Sequence, residues 1–124
     1  LEHPQLDEYD MSSLRFSLTD SADVPVDLIQ KMLDELTFER VVQAYGMTEC
    51  GTATNTVATD SPETIATTIG KASKDLEVRI VDEKNNPVAS GEKGEIVVRG
   101  YAVMDGYLDD DEATAAAIDP VPNK

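Results

Sequence analysis

Between Leu14 and Gly46 the spacing of the apolar residues changes twice. In "LRFSLT", Leu14, Phe16 and Leu18 alternate with polar residues, the period of a half-buried strand. In "VPVDLIQKMLDEL", Leu28, Met32 and Leu36 recur every four residues with Ile29 and Leu33 beside them, an apolar stripe along a helix. Pro25 suits the first helical turn, where its missing N–H is no loss, and Asp23 and Asp27 favour the positive end of the helix dipole. "RVVQAYG" then reads as a second short strand ending at Gly46. Strand, helix and strand in this order make a βαβ unit, parallel and right-handed by the rule for such crossovers. Open α/β sheets take ligands beyond the carboxyl ends of their strands, and here that place belongs to "QAYGMTEC".

The remaining chain has a different character. "TATNTVATDSPETIATTIGKAS" is rich in Thr, Ser and Ala with little periodicity, and predicts a long loop. A short helical turn is expected at "SPETIA", where Ser61 caps and Pro62 opens it. "EVRIVD" and "GEIVVRG" read as strands with Val78, Ile80, Ile96 and Val98 inward, joined by the turn-rich "EKNNPVASGEKG". "DDDEATAAAI" starts a helix with acidic residues and continues it with alanines. The expected class is α/β: a βαβ portion followed by a mainly antiparallel β portion. The division is residues 1–51 as an α/β segment, 52–76 as a loop-rich connection and 77–124 as a β-rich segment with a short helix. Neither half looks large enough to hold a core alone.

The net charge of −15 argues against nucleic acid, which needs a basic surface, and against an anionic membrane surface. No apolar run approaches the ~18 residues needed to span a bilayer. The lone Cys50 allows no internal disulfide, which fits a reducing compartment, so the cytoplasm is expected. His3 reads as a surface histidine, Asp109–Asp111 as a capped helix start and Arg99 equally as a ligand contact or an ion-pair partner. The chain begins without Met and stops at "DPVPNK", and is expected to be a segment of a longer protein. A truncated sheet leaves open strand edges, so self-association with a second copy is expected.

"QAYGMTEC" places a ring, a flexible joint, a hydroxyl and a carboxylate within five positions. Gly46 lets the backbone turn or approach a ligand closely. Thr48 offers a donor for a phosphate oxygen, and Glu49 a hard oxygen of the kind Mg²⁺ accepts beside nucleotide phosphates. On spacing alone the plainer account is preferred, an ordinary strand-to-loop turn with Tyr45 in the core and Glu49 in water.

The wider chain reverses that preference. "QAYGMTE" resembles the "YG-x-TE" motif of the adenylate-forming superfamily of acyl-CoA synthetases, luciferases and peptide-synthetase adenylation domains. "VPVDLI", "IGKASKDLEVRIVDE", "GEIVVRG" and "VMDGYLDDDEATAAAID" resemble further family segments in the family's order, covering Leu14 to Asp119. Met47 stands where peptide-synthetase domains usually carry proline, which points to an acyl- or aryl-CoA synthetase, with the peptide-synthetase domain as an alternative. The resemblance implies part of the large N-terminal domain of a ligase that joins a carboxylic acid to CoA through an acyl-adenylate, with ATP, Mg²⁺ and CoA as its cofactor and co-substrates. It further implies that Tyr45 stacks on adenine, that Gly46 lies against the nucleotide, that Thr48 bonds phosphate and that Glu49 holds Mg²⁺, with Thr48 and Glu49 as catalytic groups. Gly46, Met47, Cys50 and Gly51 are implied to border the acyl pocket. In "TDSA", Asp20 replaces a family glycine beside the adenine and adds a negative charge near an anionic ligand. That substitution supports the other alternative, a non-catalytic interaction module with the family fold. The family's lysine-ended phosphate loop and "TGD" aspartate are not among these 124 residues, so the chain alone is expected to be inactive.

Overall fold

The computed structural model describes residues 1–20, 24–36 and 38–119. A short 3-10 turn at Leu6–Glu8 precedes β1 (Phe16–Thr19), α1 (Val26–Glu35) and β2 (Arg40–Met47). β1 and β2 pair in parallel, Phe16 opposite Arg40 and Thr19 opposite Gln43, which is the βαβ unit expected from the periodicity. Pro25 immediately precedes α1 and its carbonyl accepts from the Leu28 and Ile29 N–H groups. Asp27 sits in the first turn, whereas Asp23 lies outside the described residues.

The helix stripe is confirmed with its centre shifted. Ile29 is fully buried, and packs with Val41 of β2 and Ile65 of a later helix; Met32, Leu33, Val24, Phe38 and Ala66 surround them. Leu28, expected in the stripe, is 39% exposed. β1 departs further, because Phe16 and Leu18 are 57% and 53% exposed. Their alternation is real, but pairs in register share a face. Ser17 lies opposite Val41, so the polar face of β1 turns toward the helices and the apolar face turns away.

Where composition predicts a long loop, the structure has β3 (Gly51–Asn55), α2 (Pro62–Thr67) and β4 (Lys71–Ala72). β3 pairs antiparallel with β2, and β4 with β3, giving one sheet in the order β1-β2-β3-β4. The first half is therefore a mixed sheet rather than a parallel unit followed by loop. Thr-rich strands lack the apolar alternation that marks a strand in sequence; here the buried hydroxyls of Thr54 and Thr56 are satisfied internally. The fully buried Thr56 accepts from the Gln43 N–H at 2.8 Å, and Thr54 Oγ1 donates to the Ile69 carbonyl at 2.6 Å. Ser61 caps α2 as expected, accepting from the Thr64 N–H at 3.1 Å, and Ile65 completes the core.

β5 (Leu76–Val81) and β6 (Glu95–Gly100) form the expected antiparallel pair, packed beside β3 and β4. Val78 pairs with Val98 and Ile80 with Ile96, as their shared face requires, but these four stay partly exposed while Leu76 and Val81 are buried. Across the exposed face Glu77 pairs with both Arg79 and Arg99, so Arg99 is an ion-pair partner. α3 (Asp111–Ala117) is capped by Asp110, which accepts from the Ala113 N–H at 2.9 Å. No helix among the described residues is long and apolar enough to cross a membrane.

Truncating Ile29 removes the side chain on which both helices meet the sheet. Ile29→Ala is expected to lower the unfolding free energy by about 2–5 kcal/mol, read from urea denaturation. The Arg99 and then Arg79 guanidinium groups hold the Glu77 carboxyl below the usual glutamate range. Its contribution is therefore present above the unfolded value of roughly 4.3 and is lost as pH falls through the lower folded value. The urea midpoint should drop on acidification from about pH 5 to 3, and Glu77→Gln should flatten that dependence.

Candidate functional site

β2 carries the site at its carboxyl end. Upstream, Thr19 Oγ1 at the end of β1 donates to Gln43 Oε1 at 2.7 Å, and the Gln43 backbone exchanges two 2.8 Å bonds with Thr56. These buried bonds tie β1, β2 and the chain beyond β3 together two residues before Tyr45. Tyr45 is half-buried and pairs with Thr54, while Gly46 pairs with Thr52, so Ala53 is the extra residue of a bulge. Bulges re-aim the side chains beside them, and they concentrate near functional sites.

Gly46 is required by space. A Cβ there would stand 2.2 Å from the Gly51 carbonyl oxygen, a clash between backbones that no side-chain movement relieves. The strand runs one residue past the expected end, to Met47, which is exposed. A turn follows, closed by the Cys50 N–H donating to the Met47 carbonyl at 3.1 Å, with Thr48 and Glu49 at its two central positions. Gly51, at φ +59°, then redirects the chain into β3. The seven expected residues are thus one hairpin tip: Tyr45, Gly46 and Met47 on the outgoing strand, Thr48, Glu49 and Cys50 in the turn, and Gly51 on the return. Thr48 is exposed. Cys50 is buried as a small apolar residue, with its thiol 3.7 Å from the Gly51 carbonyl.

Glu49 is half-exposed, as the plain turn reading holds, but its carboxylate is anchored rather than free. Its Oε1 accepts from the Tyr107 hydroxyl at 2.5 Å, and its backbone carbonyl accepts from the Met104 N–H at 2.8 Å. The Tyr107 bond, with a smaller effect from the Glu49 backbone N–H, keeps this carboxyl below the ordinary glutamate range. The same bond, followed by desolvation and the charges of Glu49 and Asp110, pushes the Tyr107 phenol up. Near neutral pH the pair is therefore a protonated phenol donating to a carboxylate. Tyr107 lies 58 positions from Glu49. The sequence signal for it, the "GY" of "VMDGYLDD", carries no hint of that partner.

Among the described residues no three His, Cys, Asp or Glu side chains converge as a metal cluster. One hard carboxylate beside an exposed hydroxyl instead fits Mg²⁺, which takes one or two carboxylates and completes its shell with water and substrate phosphates. Asp20 is exposed just past the end of β1, next after the Thr19–Gln43 pair, while Ser21 and Ala22 of the same loop lie outside the described residues.

The chain resembles known proteins along this same stretch. It is 47% identical over 119 residues to a 3-[(3aS,4S,7aS)-7a-methyl-1,5-dioxo-octahydro-1H-inden-4-yl]propanoyl:CoA ligase of Rhodococcus jostii, covering 96% of this chain and 21% of that protein. It is 43% identical over 120 residues to a feruloyl-CoA synthase of Amycolatopsis, covering 94% and 23%. The chain thus spans about a fifth of the length of the curated relatives it matches. Its fold is that of the anthranilate CoA ligase AuaEII solved with anthranoyl-AMP, with a TM-score of 0.80 at 21% identity over 92% of this chain and 22% of that one. A family profile described as AMP-binding enzyme matches residues 1–108, which include the whole hairpin tip and Tyr107. On that match the chain belongs to the AMP-binding enzyme family.

Proposed function

We propose that these residues form the adenylate-facing wall of an ATP-dependent carboxylic acid–CoA ligase. The observation that carries this reading is the hairpin tip, where one turn presents the Thr48 hydroxyl and the anchored Glu49 carboxylate directly after Tyr45. The CoA ligase names of the relatives at 47% and 43% identity support the same reaction class. In it, a substrate carboxylate attacks the α-phosphate of ATP, pyrophosphate leaves, and the CoA thiol then displaces AMP to give a thioester.

Each residue has a task that its placement suits. Tyr45, half-buried at the sheet's carboxyl edge, offers a ring face to adenine. The close approach of β2 and β3 at Gly46 leaves a backbone wall with no side chain against the nucleotide. Thr48 donates to a phosphate oxygen, where negative charge grows during attack; a positioned donor there stabilises the transition state. Glu49 presents a carboxylate to Mg²⁺, which when bound neutralises phosphate charge. Met47, Cys50 and Gly51 flank the acyl side. The substrate is a carboxylic acid, and propanoates on a fused-ring dione lead the trial order because of the Rhodococcus relative.

Calorimetry with a non-hydrolysable acyl-adenylate analogue tests the seat. Thr48→Ala is expected to weaken binding by about 1.5–3 kcal/mol, the usual worth of a hydrogen bond to a charged group; unchanged affinity would sink the assignment. The ribose and triphosphate contacts implied by the family are not among these residues, so this chain alone is expected to release no pyrophosphate from ATP with any carboxylate. Sustained turnover by the chain would overturn that expectation.

A further inference from the structure

Glu49 is held by more than its own turn. The Tyr107 hydroxyl occupies Oε1, while Oε2 takes no hydrogen bond from another described residue. Tyr107 is itself fixed from behind. Its backbone N–H donates to Thr114 Oγ1 at 2.8 Å, and Thr114 Oγ1 donates to the Asp110 carbonyl at 2.8 Å. Asp110 also caps α3, and bridges back to Tyr107. Gly106 lies flat on Thr114, where a Cβ would come within 2.8 Å of Cγ2. The Met104 N–H clamps the Glu49 backbone from the same segment. Residues 104–114 therefore form a strap whose end reaches one oxygen of one carboxylate.

We infer that Tyr107 is a positioning residue for Glu49, holding Oε1 so that Oε2 alone meets a divalent cation carried on the phosphates of a nucleotide. The inference rests on the reading of Glu49 as the cation's carboxylate. Mg²⁺ demands near-ideal octahedral geometry, which a carboxylate binding through a single oxygen serves and a swinging one does not. Groups that hydrogen-bond a ligating carboxylate orient it, and losing them typically weakens metal binding 10- to 100-fold. Tyr107→Phe removes only the hydroxyl from a partly exposed ring, leaving the strap's backbone bonds in place.

The test uses the isotopically labelled chain with ATP and Mn²⁺ as a paramagnetic substitute for Mg²⁺. Line broadening at the amides of residues 48–50 reports cation occupancy without any turnover. Glu49→Gln is expected to abolish the broadening, and Tyr107→Phe to raise the Mn²⁺ concentration needed for it by about tenfold or more. Tyr107→Phe keeps the ring, so its metal-free amide spectrum, including Met104, is expected to stay essentially that of the unsubstituted chain; a spectrum changed throughout residues 104–114 would show that the hydroxyl holds the strap itself and overturn a role confined to positioning Glu49. Broadening that survives Glu49→Gln overturns the cation reading and this inference with it. Broadening lost in Glu49→Gln but unmoved in Tyr107→Phe overturns this inference alone. A wild-type chain with no broadening at residues 48–50 overturns both.

Discussion

Everything at the hairpin tip depends on two backbones meeting where no side chain fits. Gly46 and the Gly51 carbonyl approach so closely that even a methyl group is excluded. That contact, together with the bulge at Ala53, sets the angle at which β2 leaves the sheet and the turn begins. Tyr45 is consequently left near the carboxyl end of β2 while Thr48 and Glu49 stand at the corner beyond it. The buried Thr19–Gln43–Thr56 bonds hold the strands in register just upstream, so the close approach occurs at one place along β2 and not one residue away. A slip of one residue would turn every side chain of the strand to the opposite face.

The second support is the strap. A carboxylate on a three-residue turn is free to rotate in water, and a group that rotates freely is a poor ligand. Here a protonated phenol from a segment next to α3 restrains the carboxylate, while a backbone amide of the same segment holds the Glu49 backbone carbonyl. The small helix earns its place through Asp110 and Thr114, which seat Tyr107, rather than through burial, since none of its residues is buried.

Much of the fold was legible because period carries burial. The helix over Val26–Glu35 and the β2 and β5–β6 strands follow from spacing, and the caps at Ser61 and Asp110 follow from short polar residues before helix-forming runs. Two kinds of element escaped. β3 and β4 are built of Gly, Thr, Ala, Asn and Lys, and their strand character comes from backbone pairing with β2 and with each other, not from an alternation visible in sequence. The face assignment of Phe16 and Leu18 failed because alternation states that two faces differ, while only the packing of α1 over Val41 selects which face is covered.

By itself the chain of residues determined the βαβ order, the glycine that the tip requires, and the membership in the AMP-binding enzyme family, whose profile matches residues 1–108. These are local properties: propensity, period and the lack of a side chain act within a few positions. Tertiary structure alone decided that β3 folds back on β2, that Gly46 faces the Gly51 carbonyl, and that Tyr107 reaches Glu49. A hydrogen bond across 58 positions exists only once the sheet, the strap and α3 have been packed, because its geometry is the sum of all the turns between.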